Sequence, residues 1–251
     1  MEFRTYGSPE LPAVMLVHGA TWSGLFVRQA EILRERYHII LPVLDGHGLT
    51  AAAPYVSTER CARQLLDYAD RHHDGRLFAL GGVSLGGQIA IEMLTRRSRL
   101  CRRAIIESAS CTPHPWMRRT GRIVHRLMFR AQALNAGRSN RRKPPELRLP
   151  EREMELYARE LSRLCRDGRS VDAIFDSHLA YGLSEEIRGC EAEILCWYAS
   201  REPKAIRDSA LLLREYAPRC TVQELTGYRH GELAAHRPDE WVRRAEAFWQ
   251  A

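Results

Sequence analysis

The string Leu80-Gly81-Gly82-Val83-Ser84-Leu85-Gly86-Gly87 constrains the fold of this chain more than any other. It lies between an apolar run, Leu77-Phe78-Ala79-Leu80, and a stretch of helical periodicity from Gln88 to Leu94. Glycines on both sides of Ser84 predict a turn so sharp that side chains at Gly82 or Gly86 would strike the crossing backbone. A strand-to-helix turn of this kind lifts the hydroxyl out of a sheet. It also aims the first helical N–H groups at whatever that hydroxyl attacks. Ser84 is therefore the candidate nucleophile.

The surrounding sequence alternates strand and helix signals. Ala13–Val17 is an apolar run of buried-strand length that ends at His18-Gly19. Tyr37–Val43 is a second, running into Asp45-Gly46-His47-Gly48. Ala104–Ile106, Glu193–Tyr198 and Thr221–Leu225 supply later strands, and helical patterns cover Phe26–Arg36, Ser57–Asp70 and Trp241–Gln250. Strands that alternate with helices imply a parallel sheet covered on both faces, within one α/β domain.

One stretch departs from this rhythm. Between Thr112 and Gly189 only helical patterns occur, joined by Arg-rich or Pro-rich segments. Trp116, Ile123, Leu127, Ala131 and Leu134 recur at helical spacing, as do Met154, Tyr157, Leu161 and Leu164 after Pro150. Asn140–Pro145 reads as a linker. The expected organisation is a core of residues 1–111 and 190–251, with a helical cap at 112–189. Met117 and Met128, with Trp116 and Phe129, are expected in the cap core or lining its pocket.

The formal charge of +7 is concentrated in that insertion. Ten Lys/Arg and a single acid, Glu146, fall between Pro113 and Leu149, which puts +9 there and leaves the rest of the chain near −2. A helix bearing Arg118, Arg119, Arg122, Arg126 and Arg130 is first a solvated face, and second an attraction for an anionic ligand, an acidic partner or a membrane surface. Nucleic acid is not an expected partner. Seven scattered cysteines without a C-x-x-C pair predict free, mostly buried thiols and no zinc site. No apolar run reaches membrane-spanning length, and the amino-terminal residues carry no signal-peptide core, so a cytosolic location is expected.

A serine needs a base to take its proton, and the base needs an orienting acid. Both should follow other strands, because ligands bind outside the carboxyl ends of a parallel sheet. Gly227-Tyr228-Arg229-His230-Gly231 places His230 after the last strand, and Ala199-Ser200-Arg201-Glu202-Pro203 places Glu202 after the one before. Together with Val17-His18-Gly19-Ala20, Asp45-Gly46-His47-Gly48 and the Ser84 turn, these landmarks resemble the α/β-hydrolase superfamily over essentially the whole chain. The resemblance implies an α/β-hydrolase fold, a mostly parallel sheet with helices on both faces, and a Ser84–acid–His230 site. It implies no substrate. The superfamily usually carries Asp at the acid position; this chain offers Glu202, and Glu107, at the end of an earlier strand, is the alternative.

By the superfamily's pattern, the backbone N–H groups of Ala20 and Leu85 form an oxyanion hole, and Trp22 and Ser23 line the adjoining pocket. The expected function is that of a carboxylesterase-like serine hydrolase acting on a small-molecule ester through an acyl-enzyme, with no metal or cofactor. Thioesterase, lactonase, amidase or acyltransferase chemistry on the same residues is the nearest alternative, and a ligand receptor on the same fold is another. A serine at the turn argues against the branch that uses an aspartate nucleophile. His18, His47 and Asp45 are expected to hold their own turns, and His72, His73 and His178 to lie on the surface or in the cap. Oligomeric state has no sequence signal.

Overall fold

The apolar runs become strands, and their two-residue period divides the core. The computed structural model describes residues 1–50, 53–114 and 118–251. The readings of Trp116 and Met117, and of the Arg118 and Arg119 side chains, lie outside the described residues. The strands are β1 (Glu2–Tyr6), β2 (Ala13–Val17), β3 (His38–Val43), β4 (Leu77–Val83), β5 (Cys101–Glu107), β6 (Glu193–Ala199) and β7 (Cys220–Leu225). They form one sheet in the order β1-β3-β2-β4-β5-β6-β7, parallel throughout except for antiparallel β1.

Along β2, Val14 and Leu16 belong to one buried cluster and Met15 and Val17 to another. Alternate side chains of a strand point to opposite faces, so two helical layers are needed to cover them. Helices α1 (Val27–Leu33) and α9 (Pro238–Gln250) cover the Val14 face through Ala30, Leu33, Trp241 and Ala245. Helices α2 (Thr58–His72), α3 (Leu85–Arg96) and α7 (Lys204–Tyr216) cover the other through Leu65, Ile89 and Leu213. Because β2 and β4 are buried on both faces, they read as continuous apolar runs. β1 does not: Glu2 and Phe3 to Tyr6 are only partly covered at the sheet edge, and no apolar run announces the strand.

Between β5 and β6 the chain forms α4 (Arg118–Arg142), α5 (Glu151–Arg166) and α6 (Gly168–Ala180), with short 3-10 turns at Pro145–Leu147 and Glu185–Gly189. One sequence expectation changes here. The 140–145 stretch is not all linker, because α4 continues through Arg142. On α4 the Ile123, Leu127 and Leu134 side chains are 65%, 60% and 86% exposed. The opposite face of α4, with Phe129 and Ala136, is the buried one. α4 packs on α5 and α6, and Arg122 and Arg126 pair with Asp176 and Asp172 across to α6. In α5 the expected stripe is buried at Met154, Leu161 and Leu164. All seven cysteines are free, six of them buried.

Candidate active site

Ser84 stands between β4 and α3 with φ 56° and ψ −114°, a conformation that a residue with a side chain adopts only under constraint. Its N–H donates to the Glu107 carbonyl at 2.8 Å, and its own carbonyl accepts from the Gln88 N–H at 3.0 Å. Both glycines are forced by contact. A Cβ on Gly82 would lie 2.3 Å from the Gly86 carbonyl oxygen, and one on Gly86 would lie 2.1 Å from that of Val17. The turn therefore holds a strained serine at the carboxyl edge of the central strand, with α3 starting directly behind it.

His230 follows β7 and precedes α8 (Glu232–His236), and Glu202 sits in the turn between β6 and α7. The two turns are laced together: the Arg201 N–H donates to the Tyr228 carbonyl at 3.1 Å and the Gly227 N–H to the Ser200 hydroxyl at 2.8 Å. This lacing brings His230 Nδ1 to 2.5 Å from Glu202 Oε1. The other oxygen of Glu202 accepts the Ala199 N–H at 2.6 Å. Glu202 is 1% exposed and the imidazole 48% exposed, so a fixed carboxylate carries an open ring. With Nδ1–H donating to the carboxylate, Nε2 is left as the acceptor.

Glu107 lies elsewhere. Its Oε1 meets the Ala234 N–H of α8 at 3.5 Å, and its Oε2 is buried without a partner among the described residues. Burial pushes its pKa up to about 8, against the Ala234 N–H, with the nearby Glu202 charge adding to the rise. The alternative acid is thus the one that burial keeps protonated, and it is not the one that touches His230.

That shift has a measurable consequence. The folded carboxyl binds its proton up to about pH 8, whereas its ordinary pKa is 4.5. Stability from this group is therefore complete below about 4.5 and is lost as pH rises through about 8. Glu107→Gln mimics the protonated form and removes the dependence. The variant should match the wild type at low pH and exceed it at pH 9 by on the order of a few kcal/mol, read by urea denaturation across pH.

The His18 loop is held from two sides. The Leu44 N–H donates to His18 Nε2 at 3.1 Å, and His18 Nδ1 lies 2.6 Å from the Gly19 carbonyl oxygen. Burial and the neighbouring His47 hold His18 well below its ordinary pKa, so it is neutral. The bond fixes the plane of the Gly19–Ala20 peptide and turns the Ala20 N–H to the side away from His18. Gly19 lies against the Ser84 turn, where an added Cβ would be 3.7 Å from Ser84 Cβ. His47, lowered by burial, sits 2.9 Å from the Ala20 carbonyl oxygen and 3.1 Å from that of Asp45. Asp45 accepts from Gln64 Nε2 at 3.0 Å. His18 and His47 bond carbonyls of their own turns, as expected, whereas the Asp45 side chain ties its turn to α2 and, at 3.2 Å, to the amino terminus.

Ser84, Leu85, Ala20 and His230 open on one cavity of about 610 Å³, roofed by α4 and α6. Trp22 is on its wall. Ser23 is not. Its side chain is 3% exposed, and both its N–H (2.9 Å) and its hydroxyl (2.8 Å) donate to the buried Glu160 of α5. The expected pocket role gives way to an anchoring one, because a buried carboxylate needs donors. Ser23→Ala should lower stability by about 1.5–3 kcal/mol, read as a fall in the urea midpoint with unchanged slope.

Two cavity histidines escaped the sequence reading. His178, expected on the surface or in the cap, lines the cavity from α6, and its Nδ1 is 3.1 Å from Gln88 Oε1 on α3. Burial, with the charges of His230, His125 and His114, pulls it down to about 4. His125 lines the same space from α4 and stacks on Phe175 at 3.5 Å. The signal existed only as helical spacing: Ile174, Phe175 and His178 share one face of α6, and all three line the cavity.

Among the described residues no group of three or more His, Cys, Asp or Glu is placed to hold a metal ion, and no helix is long and apolar enough to cross a membrane. The sequence matches the alpha/beta hydrolase family over residues 14–245. No curated protein shows significant sequence similarity to the chain. Among solved structures, a hydrolase from Pseudomonas aeruginosa PA01 is 17% identical with a TM-score of 0.78, covering 99% of this chain and 94% of that one. A thermophilic esterase from Thermogutta terrifontis is 18% identical (TM-score 0.76, coverage 99% and 92%). An enol-lactonase from Burkholderia xenovorans LB400 is 17% identical (TM-score 0.73, coverage 100% and 96%). At these identities the likeness is one of fold.

Proposed function

The chain belongs to the alpha/beta hydrolase family, and on that premise we propose that it is a serine hydrolase that cleaves a small-molecule carboxylic ester through an acyl-enzyme on Ser84. The observation that carries this reading is a single one. A serine strained outward on a glycine-cleared turn shares a cavity with an imidazole whose far nitrogen is fixed on a buried carboxylate. The helices of residues 112–189 act as a cap over that cavity.

In the proposed reaction His230 Nε2 takes the Ser84 proton as the hydroxyl attacks the ester carbonyl. The Ala20 and Leu85 N–H groups receive the oxyanion, and each such donor contributes roughly 3–4 kcal/mol in the transition state. His230 then gives its proton to the leaving alcohol. Water, deprotonated by the same ring, releases the acid and restores Ser84. Glu202 holds the imidazole in the required tautomer and stabilises its charged form. Thioesters and lactones present the same carbonyl to the same groups, and the fold neighbours include both an esterase and an enol-lactonase.

The test is covalent. A fluorophosphonate probe should label the folded protein at Ser84, located by peptide mass spectrometry. Labelling at another residue, or none, overturns the proposal. A short p-nitrophenyl ester separates the two carboxylates: Glu202→Gln should reduce kcat by roughly 10²–10⁴-fold, because amide in place of carboxylate fixes the wrong tautomer. A comparable loss in Glu107→Gln, with Glu202→Gln active, would assign the acid to Glu107.

A further inference from the structure

The cavity has a second polar end. Lys143, which follows α4, and His236, the last residue of α8, both line it, with Lys143 Nζ 2.8 Å from His236 Nε2. An ammonium only donates, so His236 Nε2 accepts and its Nδ1 bears the proton. That Nδ1 is buried with no partner among the described residues. The Lys143 ammonium likewise has donors to spare, since its side chain makes one hydrogen bond there. Among the described residues no Asp or Glu lines the cavity.

The pair is built into its place. The Asn140 amide clasps Leu149 through both its backbone groups, at 2.8 and 2.9 Å, and the Lys143 carbonyl accepts from Arg148 Nε at 2.8 Å. The acid whose charge reaches Lys143 is Glu232, and it accepts the Arg229 N–H at 3.2 Å. Arg28 and Arg237 add positive charge around His236, although Arg28 is answered by Glu153 at 3.4 Å. Burial pulls the Lys143 ammonium below its ordinary pKa and His236 to about 4. A part-buried ammonium–imidazole pair of net charge near +1, lining a cavity with no carboxylate among the described residues, is matched by a monoanion.

The spacing sets the size of what would bind. His236 ends α8 and His230 lies two residues before its start, so the five-residue helix, roughly 7.5 Å long, stands between them. Apolar wall from Leu25, Leu149 and Met154 lines the same cavity. We propose that Lys143 and His236 form a subsite for a carboxylate on the substrate, separated from the ester by an apolar chain of medium length. The substrate class is thus a half-ester: an ester at one end, a free carboxylate at the other. This rests on the hydrolase reading for the ester end only.

The test compares matched ligands. Mono-p-nitrophenyl esters of adipate, suberate and sebacate place the carboxylate on the acyl side; acetate esters of ω-hydroxy fatty acids place it on the alcohol side. In at least one series, kcat/KM for the wild type should exceed that of the neutral counterpart tenfold or more. That ratio should fall at least tenfold in Lys143→Gln and recover in Lys143→Arg. Equal or lower turnover of both carboxylated series by the wild type overturns the subsite without any variant. A ratio that survives Lys143→Gln does the same. Binding keeps the two proposals apart: in Ser84→Ala, titration calorimetry should show monomethyl suberate binding at least tenfold tighter than methyl octanoate, with the difference lost in Ser84→Ala/Lys143→Gln. Monomethyl suberate preference without ester turnover would sink the hydrolase and leave the subsite standing; turnover without any carboxylate preference would do the reverse.

Discussion

Ser84→Ala should lower kcat on a short p-nitrophenyl ester by roughly 10⁴–10⁶-fold, the loss expected when a nucleophile that works as a unit with its base is removed. The variant keeps the φ of 56° but loses the group that gives the strain a purpose. Ser84→Gly should be equally inactive yet more stable than Ser84→Ala by about 1 kcal/mol, because glycine tolerates positive φ. The pair of variants thus separates chemistry from conformation: steady-state assays should rank both as dead, and thermal melting should rank glycine above alanine. Residual turnover within tenfold of the wild type would remove Ser84 from the mechanism.

Gly86→Ala carries the largest expected effect on stability. Its methyl would stand 2.1 Å from the Val17 carbonyl oxygen and 2.5 Å from that of His18, and both are backbone atoms of the inner strand β2 and its exit. A flexible side chain could rotate aside; a paired strand cannot. β2 is held on both edges, by β3 and β4. The cost should be roughly 3–5 kcal/mol, at the upper end for a single substitution. At roughly 2–4 °C per kcal/mol for a chain of this size, the melting temperature should fall by about 10 °C or more in calorimetry. Gly189, by contrast, has nothing within 4 Å of an added Cβ, so Gly189→Ala serves as the neutral control.

Parts of the site were legible because they are local. The glycines around Ser84 exclude side chains within a few residues of themselves, and the same exclusion is written in the sequence. The alternation of Val14, Met15, Leu16 and Val17 between two faces needs only the pleat of a strand. His18 and His47 bond within or beside their own turns, and were read so. β1 escapes because an edge strand buries little, and the buried face of α4 is not legible because arginines and apolar residues alternate around the whole helix. The stripe at Ile123, Leu127 and Leu134 has helical spacing, yet the face with Phe129 and Ala136 found a neighbour.

Ser23 shows the limit more sharply. Its position beside Trp22 promised a pocket wall, but Glu160, far along the chain in α5, needed its hydroxyl. The acid is similar: Glu107 ends β5 and Glu202 lies in the turn after β6, and only the lacing of two turns puts Glu202 against His230.

Sequence alone therefore determined most of the strand-helix alternation, the sharp turn at Ser84 and the positions of Glu202 and His230 after later strands, since these follow from sterics and periodicity acting over a few residues. Tertiary structure decided which carboxylate meets the imidazole, which face of α4 roofs the cavity, and that Lys143 meets His236. Those contacts join residues tens of positions apart, and their identity depends on how the intervening elements pack, which no local rule encodes.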